Sequence, residues 1–428
     1  MPDFNKMNTK ELQDLLLSLN KKYDDYVSQK LKLNMERGVP CIEQLDISQE
    51  MLSFPGVNDS CNTLEGLDCR NYGLVDGIPE AKVLFAEMLE VSPKEVIIGG
   101  NSSLSMMYDS IARAMMFGVY GGAGPWSKLP SVKFLCPSPG YDRHFAITEL
   151  FNMEMITIEM KHDGPDMDVI EKLVADDDSI KGIWCTPKYS NPDGITYSDE
   201  VVGRIANMKT KAADFRIIWD NAYTVHHLTD KPDSLKNIMD ACKEAGNPDR
   251  VLIFGSTSKI TFPGAGIAVM AASENNVGLI KKQMGIKTIG PDKINQLRHV
   301  HFLKNMQGIE DQMRKHAKIL KPKFDMVLDL LESELGDKKI ASWNKPNGGY
   351  FISFNTLPGC AKASVKMAAD AGVAITPAGA TFPYRKDPLD RNIRIAPTKP
   401  PVGELKTAME FLCTCVQIVS INKLLLKA

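Results

Sequence analysis

Seven short apolar runs constrain this chain more than any other feature: residues 96–98, 132–136, 155–158, 182–185, 216–220, 251–254 and 266–271. Rich in β-branched and aromatic residues, and in several cases closed by glycine, proline or a hydroxyl residue, they read as buried strands. Most are followed by a helix-type stretch. Such alternation predicts an α/β fold, a mostly parallel sheet covered by helices on both faces. In such sheets ligands bind at the carboxyl ends of the strands. That is where this chain carries its reactive side chains.

The run at 251–254 leads into Gly255-Ser-Thr-Ser-Lys259. A lysine just past a buried strand is partly withdrawn from water. Desolvation lowers its pKa, and a neutral amine attacks carbonyls. Ser256 and Ser258, with free backbone N–H groups of the turn, can hold an anion beside it. This pairing suits pyridoxal 5'-phosphate (PLP), which offers an aldehyde to capture and a phosphate to anchor. Ser-x-Ser-Lys is short, and a solvated turn lysine looks the same in isolation.

The other strand ends add to it. After 96–98, Gly99-Gly-Asn-Ser-Ser103 opens a long apolar helix. Asn101, Ser102 and Ser103 therefore stand where unpaired N–H groups and the positive end of the helix dipole meet an anion. Neither GxxxxGK[ST] nor GxGxxG occurs there. Pro137-Ser-Pro-Gly-Tyr141 is a rigid loop that presents Tyr141. Asn191 follows 182–185, and Asp220 closes its strand. Such an aspartate is ordinarily a cap or salt-bridge partner. Against a PLP ring it would keep the pyridine nitrogen protonated, so that the ring accepts electrons. Tyr223 and Asn191 would bond the ring's phenolic oxygen, and Tyr141 would stack on the ring. Lys259, once released by substrate, would move the α-proton as base and acid. The expected catalytic set is Lys259, Asp220 and Tyr223.

The N-terminal region reads as an amphipathic helix from Asn8 to about Leu33, with Thr9 as N-cap and Leu12 to Val27 as an apolar stripe. Beyond about residue 325 the pattern changes to a smaller α+β unit. The expected organisation is an N-terminal helix and arm (1–60) packed on that unit, a large PLP-binding domain with a seven-stranded sheet (61–325), and a C-terminal small domain (326–428). The chain has 428 residues and a net charge of −2, so no basic field attracts nucleic acid or anionic lipid. Nine scattered cysteines suit a reducing cytoplasm better than a disulfide scaffold, and no CxxC spacing marks a metal site. No signal pattern or membrane span is expected.

Eight stretches, in order, resemble the fold type I PLP-dependent aminotransferases, aspartate aminotransferase-like, of the MocR-type or subgroup Ic branch. They are Asn71-Tyr-Gly, Gly100-Asn-Ser-Ser, Pro139-Gly-Tyr141, Tyr189-Ser-Asn-Pro-Asp-Gly194, Asp220-Asn-Ala-Tyr223, Ser256-Thr-Ser-Lys259, Asn347-Gly-Gly-Tyr-Phe351 and Arg394-Ile-Ala-Pro. The resemblance implies that Lys259 forms the resting Schiff base and that Ser102, Ser103 and Ser256 bind phosphate. It implies that Arg394 clamps the substrate α-carboxylate, for which its forked guanidinium is suited. It also implies a homodimer in which Tyr72 reaches the phosphate across the interface. The implied substrates are L-aspartate and 2-oxoglutarate. A second carboxylate has Arg143, His144, Lys188, Lys293 and Arg298 as candidate partners.

Two departures stand out. Gly264-Ala-Gly-Ile-Ala268 lacks the arginine that often binds phosphate in this family, leaving Lys287 or Lys293 as replacements. Leu45–Ser48, read as a strand, lacks the glycine expected near the substrate carboxylate, and Ser48 is placed there instead. Two alternatives stay open: the same fold with another specificity (aromatic, 2-aminoadipate) or with β-lyase or decarboxylase chemistry, and a PLP-binding transcription regulator. Against the last, about 45 residues precede the core, with no basic patch or helix-turn-helix pattern.

Overall fold

The computed structural model describes residues 3–30 and 32–426. Its strands are β1 (Leu33–Met35), β2 (Val96–Ile98), β3 (Lys133–Ser138), β4 (Glu154–Lys161), β5 (Gly164–Pro165), β6 (Ile180–Cys185), β7 (Arg216–Asp220), β8 (Val251–Ser256), β9 (Ala268–Ala272), β10 (Ala341–Trp343), β11 (Ile352–Thr356), β12 (Val373–Ile375) and β13 (Asn392–Ile395). The large sheet has the order β2-β9-β8-β7-β6-β3-β4-β5. All of it runs in one direction except β9 and β5. The expected seven strands are joined by an eighth, the two-residue β5 at the edge.

Period-two alternation buries both faces of this sheet. Val96, Ile98, Ile217, Trp219, Val251 and Ile253 pack into one core. Their chain neighbours Ile97, Ile218, Leu252 and Phe254 pack into another on the opposite face. Between these layers the strand ends are fixed, and the polar residues that follow them have little freedom.

The C-terminal region adds the antiparallel sheet β10-β11-β13 and the parallel pair β1-β12 around a third core. The expected boundary near residue 325 falls inside one continuous helix, Met306–Leu335. Its early residues Ile309 and Met313 belong to the large-sheet core, and Leu320 to Leu335 to the third. A single rod thus links the two regions.

The N-terminal helix runs Thr9–Ser28, and its cap is Asn8 rather than Thr9. Asn8 accepts from the Glu11 N–H while the Glu11 carboxylate accepts from the Asn8 N–H, a reciprocal capping box. Leu12 and Leu19 enter the third core, and Tyr23 stacks on Phe411 at 5.4 Å. The stretch read as a strand at 45–48 is instead the end of a short helix, Ile42–Asp46, and the residues after it. Four residues alternating apolar and polar, Leu45-Asp-Ile-Ser48, are too few to distinguish strand from helix. Here the outcome follows from Gln44, fully buried and hydrogen-bonded to Tyr350 Oη at 2.9 Å and His316 Nδ1 at 2.8 Å.

Helix Val402–Leu425 is long and apolar enough by composition to cross a membrane, but 67% of that window is buried inside the protein. It packs against the N-terminal helix and Met306–Leu335 as a core element.

Candidate active site

A cavity of about 470 Å³ opens where the large sheet's carboxyl edge meets β11, β13 and the arm after β1. Ser102, Ser103, Tyr141, Asn191, Asp220, Tyr223, Ser256, Ser258, Lys259 and Arg394 all line it. They come from separate stretches of sequence and are brought together by parallel strands ending at one edge.

Each side chain is fixed locally. Ser102 caps helix Ser103–Phe117 by accepting from the Ser105 N–H. Gly100 faces open space, with nothing within 4 Å of where a Cβ would lie. Tyr141 precedes helix Asp142–Leu150, and burial together with Asp220 and Asp142 pushes its phenol up to about 12. Lys259 extends over the rings of Tyr223 at 5.1 Å and Tyr350 at 5.6 Å. Burial pulls its ammonium pKa down, and Asp220 opposes that only in part. Burial raises Tyr223 well above its ordinary value.

Asp220, 3% exposed, is held from behind. His144 Nε2–H donates to its Oδ2 at 3.0 Å, and the imidazole stacks on Trp184 at 4.5 Å. Oδ1 is buried and has no hydrogen-bond partner among the described residues. Arg394, 7% exposed, lies over the Phe351 ring at 4.9 Å and donates from Nη1 to Asp142 at 2.8 Å and Asn191 at 3.3 Å.

Three expected site residues lie elsewhere. Asn101 turns its amide to the carbonyls of Pro263 and Gly264. Ser48 is fully buried outside the lining, where it accepts from Gln312 Nε2 at 2.9 Å. Tyr72 is 78% exposed in a separate groove. The phosphate cations proposed from sequence are also absent from the lining. Lys287 pairs with Asp109, and Lys293 is buried beside the groove that holds Tyr72. Of the candidates for a second carboxylate, only Arg143 lines the cavity. His144 serves Asp220, Lys188 lines another cavity, and Arg298 donates to the Phe54 carbonyl.

The family model for aspartate amino-transferase matches residues 7–427. The chain belongs to the aspartate aminotransferase family. An aspartate aminotransferase of Corynebacterium glutamicum is 44% identical over 402 residues, 94% of this chain and 93% of the relative. A Mycolicibacterium smegmatis protein carrying an aminotransferase name is 50% identical over 404 residues, 94% of each chain. A crystal structure of an aspartate transaminase from C. glutamicum superposes with a TM-score of 0.96 at 42% identity, covering 99% of both chains. The chain is thus a fold type I aminotransferase and an enzyme of that family.

Several residues of this aminotransferase cavity escaped the sequence reading. Arg37 and Gly38 line it from the arm and Thr376 from beyond β12, and Tyr350, outside the lining, lies under Lys259. Gly38 is a glycine on the cavity wall, in the arm and not in the 45–48 stretch. An added Cβ there would lie 2.5 Å from Phe351 Cζ, so the backbone must pass bare against the ring beneath Arg394. This glycine stands in Arg37-Gly-Val-Pro40, seven residues before Leu45.

Proposed function

We propose that this enzyme uses PLP to move an amino group between L-aspartate and 2-oxoglutarate, working as a homodimer in the cytoplasm. The observation that carries the reading is the half-paired carboxylate of Asp220. One oxygen is tied to His144, while the other is buried, unpartnered, on a residue lining the cavity. A buried acceptor left in this state costs roughly 1–3 kcal/mol and calls for a donor. A protonated pyridine nitrogen is such a donor. The rest of the lining agrees: the hydroxyls of Ser102, Ser103, Ser256 and Ser258 and the start of a 15-residue helix suit a phosphate.

When bound, PLP supplies a carbonyl for the lysine to capture and a ring that takes up electrons from the substrate's Cα. Lys259, desolvated and flanked by Tyr223 and Tyr350, has the lowered basicity that a nucleophile and proton carrier needs. Asn191 and Tyr223, both in the lining, would bond the ring's phenolic oxygen, and Tyr141 would cover its face. Arg394 orients the substrate through its α-carboxylate, and Arg143 and Arg37 offer cations for a second one. Tyr72, exposed in the single chain, is available to a second subunit's phosphate site.

The test is the visible absorbance of the purified protein as L-aspartate is added without an oxo acid. Bleaching that recovers with 2-oxoglutarate supports the half-reaction and the dicarboxylate preference. A chromophore unmoved by aspartate keeps PLP and removes the preference. No chromophore after adding PLP, or an active Lys259→Ala variant, removes the reading of Lys259.

A further inference from the structure

The carboxylate arginine already holds a carboxylate. Arg394 Nη1 donates to Asp142 Oδ1 at 2.8 Å. Its other contacts are neutral and longer: Nη1 to Asn191 Oδ1 at 3.3 Å and Nη2 to Thr376 Oγ1 at 3.4 Å. Nε is buried and has no hydrogen-bond partner among the described residues. Arg394 is fixed in β13 over the Phe351 ring, with 7% of its side chain exposed, whereas that of Asp142 is 32% exposed. Asp142 is therefore the partner free to move. It also stands in the first turn of helix Asp142–Leu150, where the dipole favours a negative charge whether or not the arginine is engaged.

A carboxylate entering the cavity must take donors that Asp142 occupies, or place a second negative charge beside it. We propose that Asp142 is a built-in competitor for substrate carboxylate at Arg394, a specificity-determining residue displaced when substrate binds. The inference rests on the reading of Arg394 as the carboxylate clamp. Asp142 holds the guanidinium through one short N–O contact. A free carboxylate that engages the fork with both oxygens outcompetes it, because paired parallel bonds are the stronger arrangement. A neutral ester or amide lacks that advantage and leaves Asp142 in place. The residue thus raises the threshold for binding and applies it unequally. It also keeps the guanidinium, whose desolvation would otherwise go uncompensated, paired in the free enzyme.

The test uses the PLP-loaded enzyme and glutarate, a dicarboxylate with no amino group and no turnover, titrated by calorimetry. Asp142→Asn keeps the side chain's size and removes its charge. Glutarate is expected to bind this variant about two- to fivefold more tightly than the wild type, the range for a partly exposed ion pair. KM for both amino and oxo acid should fall in step. Asp142→Ser provides a second reading if the amide perturbs the start of the helix. Equal or weaker glutarate binding in both variants overturns the proposal. Arg394→Ala separates the two levels: if it binds glutarate like the wild type, the clamp itself is wrong. If it loses glutarate while Asp142→Asn gains nothing, only the competitor role is wrong.

Discussion

Asp193 offers a sharp test of how burial sets charge in this fold. It sits in Ser190-Asn-Pro-Asp-Gly194, two residues from Asn191, and is 9% exposed. Burial raises its carboxyl from 3.8 to about 6, with Ser353 and Arg391 pulling only part of the way back. A folded-state pKa above the unfolded one means that the proton is bound more tightly when folded. The associated stability is fully present below about 3.8 and is lost as pH rises through about 6. At about 1.4 kcal/mol per unit, a shift of about two units amounts to about 3 kcal/mol at pH 8 and about 1 kcal/mol at pH 4.5. Asp193→Asn is neutral in both states and close in shape. Relative to wild type it should gain about 2 kcal/mol more at pH 8 than at pH 4.5. The comparison cancels the acid sensitivity of His299 and His316, which burial holds at about 4 in both proteins. Urea unfolding at the two pH values, followed by tryptophan fluorescence, measures the difference. A stability difference that does not change with pH would refute the reasoning, because it would mean that Asp193 stays ionised and solvated in the folded protein.

Other perturbations read different parts of the structure. Asp220→Ala should weaken PLP retention and lower turnover by about 10- to 100-fold, the scale of a lost charged hydrogen bond, checked by dialysis and steady-state kinetics. Gly38→Ala places a Cβ 2.5 Å from Phe351 Cζ, so it should displace the ring under Arg394 and raise KM by about tenfold with little change in melting temperature. Asp214→Ala strips partners from buried Lys181, at 2.6 Å, and from Trp126 Nε1, at 2.8 Å. Far from the cavity, it should cost about 3–5 kcal/mol of stability, measured by denaturant titration, while any enzyme that folds keeps its kinetics.

Much of this architecture was legible in the order of residues. Apolar runs ending in glycine, hydroxyl or aspartate mark most of the large sheet, and parallel strands bring such ends to one edge, so the sequence alone groups Ser102, Asn191, Asp220 and Lys259. Partners that depend on side-chain direction were not legible. His144 was read as a cation for substrate, yet three helical positions after Tyr141 it turns inward, stacks on Trp184 and donates to Asp220. Arg37 and Gly38 carry no periodic signal, because their place is set by the pairing of β1 with β12, more than 330 residues apart in the chain. Ser48 was misplaced for the same reason: the arm reaches the cavity before the Ile42–Asp46 helix, not after it. The expected boundary near residue 325 lies within a continuous helix. Composition changes there, but the helix runs on through Pro322, because its apolar face packs into one core at Ile309 and Met313 and into the other from Leu320 to Leu335.

The missing phosphate arginine has a structural cause in what occupies the turn after Lys259. Thr257 Oγ1 accepts from the Ile267 N–H at 2.8 Å, closing the segment into a tight loop. His299 Nδ1–H donates to the Asn295 carbonyl at 2.8 Å, so its Nε2 is an acceptor and takes the Thr261 hydroxyl at 2.9 Å. With its pKa pulled down to about 4 by burial, this imidazole is neutral at physiological pH. A Cβ on Gly266 would lie 2.8 Å from the Phe262 carbonyl and 3.0 Å from Thr257 Oγ1, and Ile267 is 1% exposed. The segment therefore has a glycine without room for a side chain at 266 and an isoleucine committed to the core at 267. A phosphate in the proposed cradle would rely on hydroxyls, backbone N–H groups and the dipole of helix Ser103–Phe117, all fixed in place before it binds. Such donors are directional but carry no net charge. Retention of the cofactor should therefore depend less on ionic strength than it would at an arginine-built site, where screening weakens the attraction.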